Sequence, residues 1–506
     1  MITADATMSG VTDRCDPSRS SAGGRDPSAG GHDSDAGGRD PDAGLQADEL
    51  ASITGGTILH RSDRPIRDGA VDSRLVAPGN LFVALPGEHV DGHEYVAAAL
   101  DAGAAGVLVS RPPESAVLAG RDATVVLVAD PLTALQAVAT AWRSRFDPLV
   151  VGITGSIAKT STKEAVAAVL GAAMPTLRNE GNLNNEIGLP LTVLRLRGRH
   201  RAAVLEMGMY VGGEIADLAR IGRPEIGVVT AVQAVHLSRI GTIDAVERAK
   251  GELVEALPED GVAVLNADDE RVRRMAARTA ADVVTYGFAD DADVRATAVR
   301  SRGVDGMAFD LVTPAGRTAV EIPALGELSV HNALAAAAVG LAAGLRLEAI
   351  ASALGGGWSA PHRVQLVAAG GLTIVDDTYN ASPGSVIAAL DLLAGLPGRR
   401  IAVLGAMLEL GDDHEPGHRR VGEAAAARAD RVIVVGDEAR GIAAGVGAAG
   451  SSVAEVVADR DAARERLLEI LEPGDVVLVK ASRGVALDLL VDELVAALGP
   501  AAVTAP

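Results

Sequence analysis

The stretch GITGSIAKTSTKE, residues 152–164, carries the pattern of a phosphate-binding loop. An apolar run at 149–151 precedes it and a helix-compatible run at 164–170 follows it, which predicts a strand, a loop and a helix. Backbone N–H groups of such a loop, together with the helix dipole, favour a bound anion. We expect Lys159 to face the outer phosphates and Thr160 to offer a hydroxyl to Mg²⁺. The predicted nucleotide-binding residues of the loop are Gly155, Ser156, Ile157, Ala158, Lys159, Thr160 and Ser161.

Ala158 departs from this pattern, because a glycine normally precedes the lysine of the loop. A residue at the start of a helix can adopt a negative φ, in which alanine carries no steric penalty. A loop that kept a glycine-only geometry would be strained by alanine, whereas a negative φ would accommodate it. We predict that the loop still binds phosphate.

The composition limits the classes of protein that fit the chain. Its 506 residues predict about three domains, and 48% hydrophobic residues supply their cores, although only 2% are aromatic. A net charge of −21 argues against nucleic-acid binding, which requires clustered Lys and Arg. The single cysteine, Cys15, excludes a disulfide within the chain, and the N-terminus lacks a signal-peptide pattern. Both observations predict a cytoplasmic protein.

Changes in composition predict a tail and three domains. Residues 1–45 are rich in Gly, Asp, Ser and Arg, with an approximate seven-residue repeat such as AGGRDPS. We expect this tail to be disordered, because it offers little apolar surface to bury. The α/β domains are expected at residues 46–147, 148–357 and 358–506.

Apolar segments predict the elements within these domains. The runs LFVAL at 81–85 and GVLVS at 106–110 are expected to be buried strands, with a helix at 93–102 between them. Strands alternate with helices after the phosphate loop, which indicates a mainly parallel sheet. The Ala- and Gly-rich run at 328–345 is assigned to a buried helix and not to a membrane span. Further strands are expected at 400–405, 431–436 and 475–480.

Polar residues follow the strands of the second domain. The motif GNLNNEIGLP places Asn182, Asn184 and Asn185 ahead of an apolar helix, and the strand AAVLE ends at Glu206. Ligands of open parallel sheets bind at the carboxyl ends of the strands. Glu206 is therefore either a ligand of Mg²⁺ or the cap of a neighbouring helix.

Five other polar residues leave two interpretations open. Ser73, Arg74 and His93 lie on predicted loops of the first domain and either form turns and caps or contact a nucleotide-linked substrate. His236 follows a strand and is either structural or a metal ligand. Lys250 lies in a helix among carboxylates and either belongs to a solvated face or takes part in the site.

Polar residues also follow the strands of the third domain. The segment GLTIVDDTYNASPGSVIAAL predicts a strand that ends at Asp376 and Asp377, followed by a helix that Ser and Pro begin. The acidic loop 407–418 is long enough to be functional. The strand DVVLVKASR places three more polar residues at the ligand edge of this sheet, namely Lys480, Ser482 and Arg483.

In these motifs the sequence resembles the Mur ligase family of peptidoglycan synthesis. The resemblance covers about residues 46–500, in collinear order, through DSR with DGHEY, TGS..KTSTKE, GN.NNEIGLP, LEMG, VHL with AKGE, HNALAAAA, and DDTYNASP with VLGAMLELG. The motifs DGH, NNEIG and D.YNA.P favour the member that adds D-alanyl-D-alanine to UDP-N-acetylmuramoyl-tripeptide. A sister ligase that adds another amino acid or dipeptide is the main alternative. A second alternative is a retired ligase that only binds nucleotide or precursor, which the alanine at 158 would favour.

The resemblance implies an α/β protein with the three-domain Mur ligase architecture. It implies a domain for the UDP-muramoyl peptide, a central P-loop ATPase domain with a parallel sheet, and a C-terminal Rossmann-like domain. ATP would phosphorylate the peptide carboxylate, and the amine of D-alanyl-D-alanine would attack the resulting acyl phosphate. ATP and Mg²⁺ are the implied cofactors, and we expect a monomer.

The resemblance also assigns roles to residues. Lys250 matches a lysine that sister enzymes carbamylate, Asn332 and Arg363 match contacts to the base and phosphates, and Asp377 matches a position near the ribose. Next to Arg363, His362 replaces a glycine of the family. The implied catalytic residues are Lys159, Glu206, His236 and Lys250, and the implied metal ligands are Thr160, Glu206 and His236. The implied substrate-binding residues are Ser73, Arg74, His93, Asn182, Asn185, Tyr379 and Asn380.

Overall fold

Three β-sheets covered by helices form the described part of the chain. The computed structural model describes residues 40–87, 90–233 and 240–499, and from residue 41 onward these belong to one compact unit. Residues 1–39 of the predicted tail and His236 lie outside the described residues. The three α/β sheets confirm the predicted fold class.

The first sheet has five strands in the order β1-β5-β4-β3-β2, and only β1 is antiparallel to its neighbour. Its strands are β1 Thr57–His60, β2 Gly69–Ala70, β3 Leu81–Val83, β4 Gly106–Val109 and β5 Thr124–Leu127. The two strands predicted in this region are confirmed as β3 and β4, both fully buried. The helix predicted between them forms as a 3₁₀ turn, Gly92–Tyr95, followed by an α-helix, Val96–Asp101.

The second sheet has nine strands in the order β14-β13-β12-β11-β10-β9-β6-β8-β7. The strands from β7 to β12 pair in parallel, which confirms the mainly parallel sheet, while β13 and β14 add an antiparallel edge. The strands are β6 Leu149–Thr154, β7 Thr176–Arg178, β8 Ala202–Glu206, β9 Ile226–Val229, β10 Val262–Asn266, β11 Asp282–Gly287, β12 Val294–Ser301, β13 Met307–Thr313 and β14 Gly316–Ile322. Ile153 of β6 pairs with Glu206 of β8, so the end of the loop strand and the carboxylate are neighbours.

The third sheet has six strands in the order β15-β16-β20-β17-β18-β19, and only β15 is antiparallel to its neighbour. The three strands predicted there are confirmed as β17, β18 and β20. The strands are β15 Gln365–Ala369, β16 Leu372–Asp376, β17 Arg400–Leu404, β18 Arg431–Val435, β19 Ala454–Val457 and β20 Val476–Lys480.

Helices cover the faces of these sheets, as the alternation of strand and helix requires. In chain order they are α1 Ala47–Thr54, α2 Val96–Asp101, α3 Ser115–Leu118, α4 Pro131–Arg143, α5 Lys159–Gly171, α6 Gly188–Val193, α7 Glu214–Gly222, α8 Ile243–Glu255, α9 Glu270–Arg274, α10 Glu327–Ala342, α11 Leu347–Gly355, α12 Pro383–Ala394, α13 His414–Ala426, α14 Arg440–Ala448, α15 Arg460–Ile470 and α16 Asp488–Leu498.

Small residues allow close packing of helix α10 on helix α5, the helix of the phosphate loop. Five of the seven residues at 333–339 of α10 are alanine, and all seven are fully buried, which confirms the predicted buried helix. At Gly340 a Cβ would lie 3.0 Å from a methyl group of Val169 in α5. Alanine therefore fills this core in place of the scarce aromatic residues. Within the described ranges, the helices are too short or too polar to span a membrane.

The folded chain includes the last residues of the predicted tail. Leu45 is buried, and its backbone forms two hydrogen bonds with Ile66. Arg145 donates to the carbonyl oxygen of Ala43 at 2.7 Å, and Asp42 accepts from the N–H of Gly198 at 2.8 Å. Because these contacts order residues 42–45, the boundary of the tail at residue 45 was placed too late.

Truncation tests this boundary. Deletion of residues 1–39 is expected to leave the melting temperature unchanged, because this segment offers few apolar groups. Deletion of residues 1–45 also removes Leu45, whose burial is worth about 2 kcal/mol. The longer deletion should therefore lower the melting temperature by roughly 4–8 °C, measured by differential scanning calorimetry. A fall of that size for the shorter deletion would show that residues 1–39 also contribute.

Candidate active site

The phosphate-binding loop joins strand β6 to helix α5 and has a shape that side chains fix. Gly155 has a φ of +152°, and a Cβ there would lie 1.8 Å from Oγ1 of Thr230. The hydroxyl of Ser156 accepts from the N–H of Gln233 at 2.9 Å and donates to its carbonyl oxygen at 3.1 Å. The N–H groups of the first turn of α5 have no acceptor within the helix, so they are available to an anion.

Ala158 adopts the left-handed conformation, with φ +64° and ψ 0°. Of the two geometries considered, the loop therefore has the glycine-like one, which strains alanine. This residue closes the loop just before α5 begins, and the turn there requires the glycine-like geometry of the phosphate-loop pattern. An alanine in this region costs about 1–2 kcal/mol relative to the right-handed region.

Lys159 begins α5 and lies over the loop. Its Nζ donates to the carbonyl oxygens of Gly155 at 2.7 Å and of Ser156 at 3.4 Å. Burial lowers the pKa of Lys159 below its usual value, Glu206 opposes this shift, and the positive charge of Arg363 adds to it. Lys159 therefore has close by a carboxylate from β8 and a guanidinium group from the linker before β15.

Glu206, at the end of β8, is buried and bonded on one side only. Its Oε1 accepts from Nδ2 of Asn184 at 2.7 Å and from Oγ1 of Thr160 at 3.2 Å. Its Oε2 is buried and has no hydrogen-bond partner among the described residues. An unsatisfied buried carboxylate oxygen beside a threonine hydroxyl is a donor set that fits Mg²⁺. Glu206 does not act as a helix cap, which was the alternative interpretation.

Asn184 was not among the predicted substrate-binding residues, although it belongs to the same motif as Asn182 and Asn185. All three line the site, but only Asn184 bonds to Glu206. Oδ1 of Asn185 instead accepts from the N–H of Gly188, the first residue of α6, at 2.9 Å. Three asparagines in four positions indicated a polar loop, whereas the choice among them depends on how the loop folds onto β8.

Lys163 and Asn179 are further residues that sequence reasoning missed. Lys163 is fully buried, and its Nζ donates to the carbonyl oxygens of Asn179 at 2.8 Å and Gly181 at 3.3 Å. Asn179 accepts from the backbone N–H of Glu206 at 2.6 Å. These bonds hold the asparagine loop between α5 and β8. A lysine one turn after the loop lysine was the available signal.

Lys250 in α8 is only 3% exposed, which excludes the solvated face, one of the two interpretations of this residue. Burial lowers the pKa of Lys250 well below its usual range, and the charge of Lys159 adds to this effect. The neighbouring glutamates of the sequence point away: Glu252 caps α7 through the N–H of Gly213, and Glu247 pairs with Arg271.

The end of β16 supplies the opposite wall of the site. Asp377 accepts from Nζ of buried Lys480 at 2.6 Å, and the same ammonium donates to the carbonyl oxygen of Asn380 at 2.9 Å. The guanidinium group of Arg363 lies 4.0 Å from the ring centre of Tyr379. In the linker before β15, His362 has a φ of +59° and bonds through Nδ1 to Asp376 at 2.8 Å.

One cavity of about 1250 Å³ joins these groups. It extends from the phosphate loop and Glu206 of the second sheet to Asp377 and Tyr379 of the third. Asn332 also lines it, held by a 2.9 Å hydrogen bond from Thr162 of α5. The predicted site residues that line the cavity are Ser156, Ile157, Ala158, Lys159, Thr160, Ser161, Asn182, Asn185, Glu206, Asn332, Arg363, Asp377, Tyr379 and Asn380.

The three predicted residues of the first domain do not line this cavity. Arg74 pairs with Asp72 at 2.6 Å within the exposed turn that contains Ser73. The ring of His93 bonds through Nδ1 to Asp91 at 2.7 Å and accepts through Nε2 from the N–H of Ser110 at 2.9 Å. These are the turn and capping contacts that one of the two interpretations of these residues predicted. Their contact with a nucleotide-linked substrate stays a prediction.

Family models match all three sheet-bearing parts of the chain. They are the Mur ligase family catalytic domain at residues 70–143, the Mur ligase middle domain at 153–340, and the Mur ligase glutamate ligase domain at 362–483. The middle-domain match contains the phosphate loop, Glu206 and Asn332. The glutamate ligase match contains Arg363 and Tyr379.

Proteins with known names match over nearly the whole chain. The UDP-N-acetylmuramoyl-tripeptide–D-alanyl-D-alanine ligase of Mycobacterium tuberculosis is 39% identical, over 89% of this chain and 98% of its own. The ligase of the same name from Escherichia coli is 38% identical, over 88% and 97%. The crystal structure of MurF from Acinetobacter baumannii has a TM-score of 0.80 at 30% identity, over 89% and 99%. MurF ligase from Thermotoga maritima in complex with ADP has a TM-score of 0.75 at 28% identity, over 85% and 98%. The chain belongs to the Mur ligase family.

Proposed function

We propose that this protein is the ATP-dependent ligase that joins D-alanyl-D-alanine to UDP-N-acetylmuramoyl-tripeptide in peptidoglycan synthesis. The observation that carries the proposal is the single cavity that unites the phosphate loop and Glu206 with Tyr379 and Asn380. A ligase of this kind must bring a nucleotide, a carboxylate and an amine together, which a cavity between two sheets allows. The similarity to the named ligases covers 89% and 88% of this chain.

The chemistry of the reaction assigns a task to each group. ATP supplies the phosphoryl group that converts the peptide carboxylate to an acyl phosphate, which the dipeptide amine attacks with loss of phosphate. Lys159 and the first N–H groups of α5 bind and orient phosphate oxygens. Thr160 and the unpaired Oε2 of Glu206 hold Mg²⁺, with His236 as a further ligand from the segment outside the described residues. Bound Mg²⁺ adds positive charge near the transferring group.

We propose that Lys250 carries a carbamate. Its buried position beside Lys159 favours the neutral amine, which is the form that attacks CO₂. The amine nitrogen bonds to the carbon of CO₂ and loses a proton, which yields an anion in place of a cation. That anion would compensate Lys159 and face the metal ligands, as in the sister enzymes that the sequence resembles.

The other assignments complete the proposal. Asn332, Arg363 and Asp377 bind the nucleotide, while Asn182 and Asn185 contact the peptide. Ser73, Arg74 and His93 contact the UDP-muramoyl part through the first domain. The protein acts as a cytoplasmic monomer with three domains, of which the first also includes residues 42–45 and the others lie at 148–357 and 358–506.

One assay tests the activity. Purified protein with ATP, Mg²⁺ and UDP-N-acetylmuramoyl-tripeptide should release phosphate at a substantial rate only when D-alanyl-D-alanine is added. Mass spectrometry should then find the pentapeptide product. Single D-alanine, L-lysine and meso-diaminopimelate in place of the dipeptide serve as controls for the sister ligases. Release that depends on one of those amino acids, or on none, would contradict the proposal.

Ala158 is the residue that would favour a retired ligase. Ala158→Gly is expected to stabilise the protein by about 1 kcal/mol, because the left-handed φ then carries little strain. It should change kcat/KM for ATP by less than ~10-fold, equivalent to about 1.4 kcal/mol, because the other ligands of the loop are in place. Thermal unfolding and phosphate release measure the two effects.

Ala172, an exposed helix-end residue with φ −67°, provides the control. Ala172→Gly should not stabilise the protein, since its alanine is unstrained. A wild-type protein without activity that Ala158→Gly revives would support the retired ligase instead.

A further inference from the structure

Two arginines contact the same aromatic ring in the cavity. The guanidinium carbon of Arg363 lies 4.0 Å from the ring centre of Tyr379, and that of Arg483 lies 5.5 Å from it. Both distances are within the range of cation–π attraction, which extends to about 6 Å. All three side chains line the cavity.

The Tyr379 ring and Arg483 are held by buried contacts. Lys480 fixes the segment before and after the ring through Asp377 and the carbonyl oxygen of Asn380. Ser482 accepts from the N–H of Leu408 at 2.9 Å, and its own N–H donates to Ala406 at 3.0 Å. The backbone on both sides of the stacked pair is therefore fixed, which favours binding of a ligand in one orientation.

The two cationic side chains on this wall differ in whether a carboxylate pairs with them. Lys480 is buried and neutralised by Asp377. Arg483 is exposed to the cavity, and its guanidinium group forms no ion pair or hydrogen bond within the described ranges. An unpaired guanidinium group can donate two parallel hydrogen bonds to the planar carboxylate of a ligand.

We propose that Arg483 binds the C-terminal carboxylate of the incoming D-alanyl-D-alanine, an inference that rests on the proposed function. Arg363 is close enough to Lys159 for their charges to interact, so Arg363 belongs to the phosphate end of the cavity. Arg483 contacts the same ring and is therefore separated from Arg363 by at most the sum of the two ring distances. An extended dipeptide spans at most about 7 Å, so its amine can reach the phosphate end while its carboxylate meets Arg483.

The experiment compares two substrates on two proteins. D-Alanyl-D-alaninamide has the same amine as D-alanyl-D-alanine but no carboxylate. In the wild type, the amide should show a KM at least ~10-fold higher, the usual effect of losing one charged hydrogen bond. Arg483→Met should raise the KM of the free acid by a similar factor and leave the KM of the amide unchanged. Arg483→Lys, which keeps the charge but not the planar fork, should give an intermediate value.

Controls distinguish binding of the dipeptide carboxylate from binding of the other anionic substrates. The KM values for ATP and for the UDP-tripeptide should stay within about twofold of wild type in Arg483→Met, because the proposal assigns this residue to neither. Arg440→Met, which replaces an exposed arginine paired with Asp437 outside the cavity, should change none of the constants.

The outcomes distinguish failure of the role proposed for Arg483 from failure of the proposed ligase function. Equal losses for acid and amide, or a change confined to ATP or the UDP-tripeptide, would overturn the role of Arg483 while leaving the ligase activity established. A wild-type protein that forms no product with either dipeptide would overturn the proposed function and this inference with it.

Discussion

Glu206→Gln is expected to lower kcat by at least ~100-fold, the scale on which loss of one preorganised charge acts in other enzymes. Glutamine keeps the shape of the side chain, so the contacts with Asn184 and Thr160 can re-form. It removes the negative charge and replaces one carboxylate oxygen by an NH₂ group, which cannot bind a cation. Phosphate release at saturating ATP, UDP-tripeptide and D-alanyl-D-alanine measures the effect.

Two comparisons make this result specific to the site. Lys159→Ala should give a loss of similar size, because it removes the opposite charge from the same phosphate end. Glu270→Gln changes a carboxylate whose side chain is 88% exposed, and it should leave kcat unchanged. Calorimetric binding of the UDP-tripeptide should be retained in all three variants. Near-normal turnover of Glu206→Gln or Lys159→Ala would show that the catalytic centre lies elsewhere.

The sequence predicted those parts of the site that local chain geometry determines. The phosphate loop was predictable because strand, loop and helix follow one another within residues 149–171. Glu206 and Asp377 were predictable because the carboxyl ends of parallel strands meet at one edge of a sheet. Apolar runs predicted strands β16, β17, β18 and β20 of the third sheet but not β15 and β19.

Properties that depend on contacts between distant segments were not predictable. Ser156 and Ile157, just before Ala158 in the loop, bond to Ala231 and Thr230, which are some 70 positions further along the chain. The bond from Asn184 to Glu206 depends on the path of a loop that Lys163 holds. No periodic pattern contains this information.

The burial of Lys250 also depends on contacts between distant segments. Its sequence neighbours Glu247 and Glu252 left a solvated face open beside a role in the site, since charges three and two positions away commonly lie on a polar surface. In the structure these carboxylates bond to other elements, and Lys250 points into the protein. A buried lysine beside another lysine is costly as a cation, which leaves a modified or neutral side chain as the stable form.

Lys250→Ala is expected to lower kcat by about 10–100-fold, the range found when a group that supports a metal ligand is removed. The variant loses the proposed carbamate and with it the anion that compensates Lys159. A small carboxylate such as formate or acetate can enter the space that the shortened side chain leaves, and it should restore part of the activity. Wild-type activity should fall in buffer freed of CO₂ and return when bicarbonate is added.

A direct signal distinguishes the modification from a merely structural lysine. In ¹³C-bicarbonate, the wild type should show a carbamate carbon resonance that Lys250→Ala lacks. Arg248→Ala, which changes an exposed residue of the same helix, should keep both the resonance and the activity. Formate should not activate the wild type or Arg248→Ala, because neither has the space that the missing side chain creates. Full activity of Lys250→Ala without added carboxylate would remove the carbamate from the mechanism, and burial of Lys250 would then serve stability alone.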